Sequence, residues 1–132
     1  MSQENVEIVR DAFEAFDRDD WDALLGYLGS EIQWVTTGQF VGGQLYRGHA
    51  GVRQFLDTLG REFDEFHAQP ENFAEAGDIV VADARVSGIG KRSGASVELR
   101  FTVVATIRDG KIVRVRNFLE RDEALQVAGL SE

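Results

Sequence analysis

Apolar residues recur at helical spacing in the first half of this chain and at every second position in much of the rest. Val6, Val9, Phe13 and Phe16 form one helical stripe, and the Asp17-Arg18-Asp19-Asp20 run behind them suits a turn and a new N-cap. Trp21, Leu24, Leu25 and Leu28 predict a second, short helix with Asp19, Asp20 and Asp22 near its positive end and Gly29-Ser30 as its stop. Ile32, Trp34 and Thr36, alternating with Gln33 and Val35, predict a strand. A glycine-rich loop from Gly38 to Gly48 follows, holding Phe40, Leu45 and Tyr46, and is expected over the mouth of a pocket. Val52, Phe55, Leu56, Leu59 and Phe63 then give a third helix that starts near His49, and Pro70 forbids helix soon after.

From Phe73 onward, turn signals and strands alternate. Gly77-Asp78 precedes Ile79 to Ile89, the run Gly90 to Gly94 precedes Val97 to Ile107, and Asp109-Gly110 precedes a last strand from Lys111 to Glu120. The pattern predicts an α+β fold, a cone-shaped, curved antiparallel sheet packed against three N-terminal helices. Helices on one face leave an open end that can admit a small molecule, and the bare outer face of the sheet is expected to join two copies in a homodimer. All 132 residues fit one domain, residues 1–132, and 43% hydrophobic residues are enough for one core.

Composition narrows the partners. With 14 basic and 23 acidic residues the formal charge is −9, which repels phosphate backbones and argues against nucleic acid or an anionic membrane. Cysteine is absent, so there are no disulfides or thiol nucleophiles, and His49 and His67 lack metal-ligand spacing. No metal and no cofactor are expected. Gly38, Gly42, Gly43, Gly48 and Gly51 do not make a phosphate loop, because no strand, glycine loop and lysine follow one another in order. No apolar run reaches the length of a signal peptide or a membrane span, and the simplest compartment is the cytoplasm.

The last strand holds the most pointed feature. Val113, Val115, Asn117 and Leu119 share one face, so a lone amide stands in an apolar row, while Lys111, Arg114 and Arg116, with Ile112 and Phe118 between them, make the other face mixed. A buried amide without a hydrogen bond costs about 1–3 kcal/mol. Asn117 therefore needs a core partner, a water or a ligand.

The chain resembles the SnoaL-like group of the nuclear transport factor 2-like superfamily. The resemblance rests on Glu4-Asn5-Val6-Glu7-Ile8-Val9-Arg10, Asp20-Trp21-Asp22-Ala23-Leu24-Leu25 and Tyr46-Arg47-Gly48-His49-Ala50-Gly51-Val52-Arg53, and on Arg108 to Val113 followed by Glu123-Ala124-Leu125. It implies the cone, and a fold that hosts isomerases, epoxide hydrolases, polyketide cyclases, dehydratases and domains without catalysis. Ketosteroid isomerases use a tyrosine, an aspartate base and a protonated aspartic acid; here Ala12, Thr36 and an apolar residue near Val103 match those places. Of the aspartate-arginine-aspartate triad of the epoxide hydrolases, Arg85 matches the arginine, with Ser87 and Asn117 where the carboxylates belong. The final-strand aspartate of the polyketide cyclases is again matched by Asn117, and an amide does no acid–base work near neutral pH.

Two arguments conflict at Asp83 and Arg85. Alternation along Ile79 to Ile89 places them outside, opposite Val80, Ala82, Ala84 and Val86, whereas the resemblance turns them into the cone. The expected ligand wall is Trp34, Tyr46, Arg85, Phe101, Val103 and Asn117, around a small hydrophobic molecule. A catalytic version adds Asp83 as base through water, Arg85 on a developing oxyanion and Asn117 as an orienting group, in an isomerase, hydrolase or cyclase acting on a hydrophobic or polyketide-like substrate. The alternative is a cone that binds without catalysis.

Overall fold

The computed structural model describes residues 2–36 and 45–130. Its first apolar stripe lies on α1 (Ser2–Asp17), which buries Val9, Ala12, Ala15 and Phe16. Asp20 then caps α2 (Trp21–Gly26), its side chain accepting the Ala23 N–H at 3.2 Å. This helix stops at Gly26, short of Leu28, which instead opens β1 (Leu28–Val35) and is buried there. The expected loop over the pocket mouth lies outside the described residues through Gln44, and its end forms a short strand, β2 (Leu45–Arg47). Gly48 begins α3 (Gly48–Glu62) at a φ of 69°, where a Cβ would sit 3.3 Å from the Ser30 carbonyl oxygen. The turn after Tyr46-Arg47 therefore requires a glycine.

Three long strands and a shorter one follow: β3 (Phe63–Ala76), β4 (Ile79–Gly90), β5 (Ser96–Arg108) and β6 (Lys111–Phe118). Asp109 and Gly110 both take positive φ, 54° and 78°, the two-residue geometry whose twist suits a hairpin between β5 and β6. After β6 comes the fourth helix among the described residues, α4 (Arg121–Ala128), capped by Gly129 in the left-handed region.

The six strands form one sheet in the order β2-β1-β6-β5-β4-β3. Every neighbouring pair is antiparallel except β1 and β6, which run parallel, so the sheet is mixed rather than purely antiparallel. α1 lies against β3 and β4, and α3 against β1 and β2, which covers the concave face. The fold is α+β and is not closed into a barrel.

Three expectations change. Strand β3 begins at Phe63 rather than near Phe73, because Phe63 to Ala76 pairs with β4 along its length even though Leu59, Phe63 and Phe66 keep helical spacing. In β6 the register shifts between Thr106 and Ile107 on its partner, which leaves Val113 as an extra residue and brings Ile112 and Val115 to the buried side. The row that lines the cavity is thus Ile112, Val115 and Asn117, and Leu119 lies beyond the strand and is exposed. The outer face is not bare either: Ala124, Leu125 and Ala128 of α4 pack on Val81 and Val104 in a second apolar cluster. Among the described residues no helix is long and apolar enough to cross a membrane.

Leu56 on α3 is 1% exposed within the main core. Leu56→Ala is expected to lower unfolding free energy by about 2–5 kcal/mol, read as a lower urea midpoint at unchanged slope.

Candidate functional site

Between the helices and the concave sheet face lies a cavity of about 90 Å³. Alanines make the room. Ala12 of α1, Ala68 of β3, Ala84 of β4 and Ala105 of β5 all reach its wall, where longer side chains would fill it. Around them stand Phe13, Phe16, Phe55, Phe66 and Phe101, with Phe16 and Phe66 in edge contact at 5.6 Å. Val9, Leu24, Leu28, Val86, Val103, Ile112 and Val115 complete the apolar lining. The space is several times the ~10–15 Å³ that one water occupies by the same kind of measure.

Three residues with polar groups reach this wall, Trp34, Thr36 and Asn117, and none of its described lining residues is ionisable. Trp34 Nε1 and Asn117 Oδ1 are both buried and find no hydrogen-bond partner among the described residues. The parallel ladder explains their proximity: Trp34 pairs with Val115, two residues before Asn117, so both side chains stand on the same face of adjacent strands. On its other side Asn117 pairs with Val103 of β5. Trp34 is further fixed by Phe55, ring to ring at 5.8 Å.

Of the six residues expected on the ligand wall, Trp34, Phe101, Val103 and Asn117 line the cavity. Tyr46 is buried against Phe55 at 5.1 Å and is not part of the lining. Arg85 lies on the convex face, its side chain 46% exposed and its Nη2 3.4 Å from Glu71 Oε2. Asp83 is on that face too, where it pairs with Arg121 of α4, accepts from Thr102 Oγ1 at 3.1 Å and accepts from Asn72 Nδ2 at 3.1 Å. Strand alternation decides this: Ala84 and Val86 face the cavity, so Asp83 and Arg85 must face away. They are too far round the sheet to act as base and oxyanion donor for anything in the cavity. The sequence reading also missed Ala12, Ala68, Ala84 and Ala105 as cavity formers, because the sequence does not say which small residues face one another across a fold.

Elsewhere the histidines serve structure. His49 Nε2 donates to the Leu28 carbonyl oxygen at 3.0 Å, tying α3 to β1, and His67 Nδ1 lies 3.1 Å from Asp17 Oδ1 on the surface. No group of three or more potential metal ligands gathers among the described residues. On the convex face, burial and the Arg114 charge beside it hold the Arg116 pKa below the usual arginine value. Its Nε is buried and has no hydrogen-bond partner among the described residues.

An α+β cone with an apolar cavity between helices and sheet defines the class of nuclear transport factor 2-like proteins, and the comparisons with known proteins agree. The SnoaL-like domain model matches residues 9–115, and the chain belongs to that family. A nuclear transport factor 2-like protein from Burkholderia thailandensis is 31% identical, with 96% of this chain and 95% of that one covered at a TM-score of 0.80. TerC, co-crystallized with polyporic acid, is 25% identical over 95% of this chain and 97% of its own, at a TM-score of 0.79. A candidate polyketide cyclase from Xanthomonas campestris is 25% identical over 92% of this chain and 93% of its own, at 0.73. No curated protein matches the chain.

Two outcomes test these placements. Asp83→Ala leaves Arg121 without the carboxylate it pairs with and is expected to cost about 1–3 kcal/mol of stability in chemical denaturation. Arg116→Met should be neutral or stabilising by up to ~1 kcal/mol, seen as an equal or higher melting temperature. The sign follows from the lowered pKa: the folded state holds the charged form less well than the unfolded chain, so the charge opposes folding at every pH below the folded-state value.

Proposed function

We propose that this protein is a small-molecule-binding SnoaL-like domain whose cavity takes a small, mainly apolar ligand without converting it. The observation that carries this reading is the apolar cavity itself, walled by aromatic and aliphatic side chains and holding no ionisable group among its described lining residues. Filling such a space gains dispersion contacts with the aromatic and aliphatic wall, so an apolar guest is favoured. That a similar chain, TerC, was crystallized with an organic compound is in keeping with the reading.

Catalysis is the weaker reading. General acid–base chemistry needs a titratable group within hydrogen-bond reach of the substrate. Asn117 does not titrate in the useful range, Thr36 is a poor base, and Asp83 and Arg85 lie across the sheet from the cavity. The isomerase, hydrolase and cyclase mechanisms of the superfamily each lack their carboxylate here.

The test is a thermal-shift screen of hydrophobic metabolites, followed by mass spectrometry of the recovered ligand. A binder at a hundredfold excess over its Kd should stabilise the protein by about 2.7 kcal/mol and be recovered unchanged. Val103→Phe, which puts a ring into the cavity, should abolish the shift at a cost in basal stability of about 1–3 kcal/mol. A converted product, or a shift that survives Val103→Phe, would overturn the proposal.

A further inference from the structure

We infer that two copies of this chain associate through their convex sides, the basic row of Arg47 and Arg114 on each copy meeting the acidic stripe of α4 on the other. This goes beyond the cavity reading and does not depend on it.

Strand alternation places the basic row. Trp34 and Val115 line the cavity and Tyr46 packs on Phe55, so Gln33, Arg47 and Arg114 beside them face out. Gln33 pairs with Arg47 on one side and with Arg114 on the other, which sets the two arginines in one line across three strands, roughly 9–10 Å apart. Both are exposed, and neither forms an ion pair among the described residues. Glu31 on β1 forms none with them either. Burial and the charge of Arg114 lower the pKa of Arg116 next along β6, so positive potential gathers here in a chain of formal charge −9.

The opposite sign stands on the helix that covers the rest of this face. Glu120, Glu123 and Val127 follow one another at helical spacing, are exposed, and lie off the side that buries Ala124, Leu125 and Ala128. Neither glutamate forms an ion pair among the described residues. The exposed large hydrophobics of the described residues fall at the same two places: Leu45 at 40% beside the basic row, and Leu119 at 38% and Val127 at 40% along the acidic stripe. Two patches of opposite charge, each with its own apolar side chains, thus share one side of the molecule. A two-fold rotation lays each patch on its complement in the second copy, so the same contact forms twice. An unrelated acidic partner would meet the arginines and leave Leu119 and Val127 in water, which favours a second copy as the occupant.

The experiment is sedimentation equilibrium of the full chain over a range of concentrations, with wild type expected to pass from monomer to dimer. One variant reverses the basic row (Arg47→Glu with Arg114→Glu), and another the acidic stripe (Glu120→Lys with Glu123→Lys). Each meets its own copy with like charge at both contacts, so dimerisation should weaken at least about tenfold. Mixed in equal amounts, the two variants meet opposite charge at both contacts and should dimerise within about threefold of wild type. Lys91→Glu with Arg92→Glu, at exposed positions in the turn between β4 and β5, makes the same change in net charge as the first variant and should shift the affinity less than about twofold. A melting transition in each variant alone shows that it folds. Wild type that stays monomeric at every concentration overturns the inference, as do reversed variants that dimerise like wild type, a mixture of folded variants that stays monomeric, or a turn variant as weak as the reversed ones.

Discussion

The parallel ladder between β1 and β6 holds the two halves of this protein together. Leu28 pairs with Ile112, and Gln33, Trp34 and Val35 pair with Arg114, Val115 and Arg116. All other strand pairs except the short β1–β2 contact link neighbours in a meander, where a tight turn makes closure inexpensive. This ladder instead joins segments far apart in sequence, and it fixes where the helical half sits over the sheet. Trp34 and Asn117 share a wall only because of it. Its register, not any single side chain, makes the cavity a defined place.

The cavity is also a cost. By the cavity-volume coefficient measured for large-to-small core substitutions, 90 Å³ of unfilled space corresponds to roughly 2 kcal/mol of forgone packing. Such a void is maintained by alanine at four facing positions on α1, β3, β4 and β5. The convex face is organised differently: Asp83 binds Arg121 and so pins α4 across Val81 and Val104. Charge is kept outside, where it locates a helix, and polarity without charge is kept inside.

Much of this was legible in the sequence, for reasons that differ by element. Strands β4, β5 and β6 were bounded by Gly77-Asp78, Gly90 to Gly94 and Asp109-Gly110, where backbone geometry restricts the residues allowed. Period-two alternation also placed Ala84 and Val86 inside and Asp83 and Arg85 outside, and it was the family resemblance that pointed the other way. Alternation answers to the pleat of this chain, whereas a catalytic motif transfers only when its residues do. Phe63 misled because it extends the helical stripe of Leu59, and only pairing with β4 settles its state. Helix α4 escaped notice because its buried residues, Ala124, Leu125 and Ala128, make too short and small a stripe to stand out. The bulge at Val113 depends on tertiary pairing that no local pattern encodes.

Strand β3, with 14 residues, forms one border of the sheet and has no neighbour on its far side among the described residues. A border of that length offers a row of free backbone groups to any passing extended chain, the starting point of edge-to-edge polymerisation. Here Pro70 removes one donor from the row, the register breaks between Phe63 and Glu65 and between Glu71 and Ala74, and Asp64, Glu65, Glu71 and Glu75 load the strand with like charge. Another copy approaching this border would meet an interrupted ladder and electrostatic repulsion. The acidity of the chain is thus placed, in part, where it protects the protein from itself.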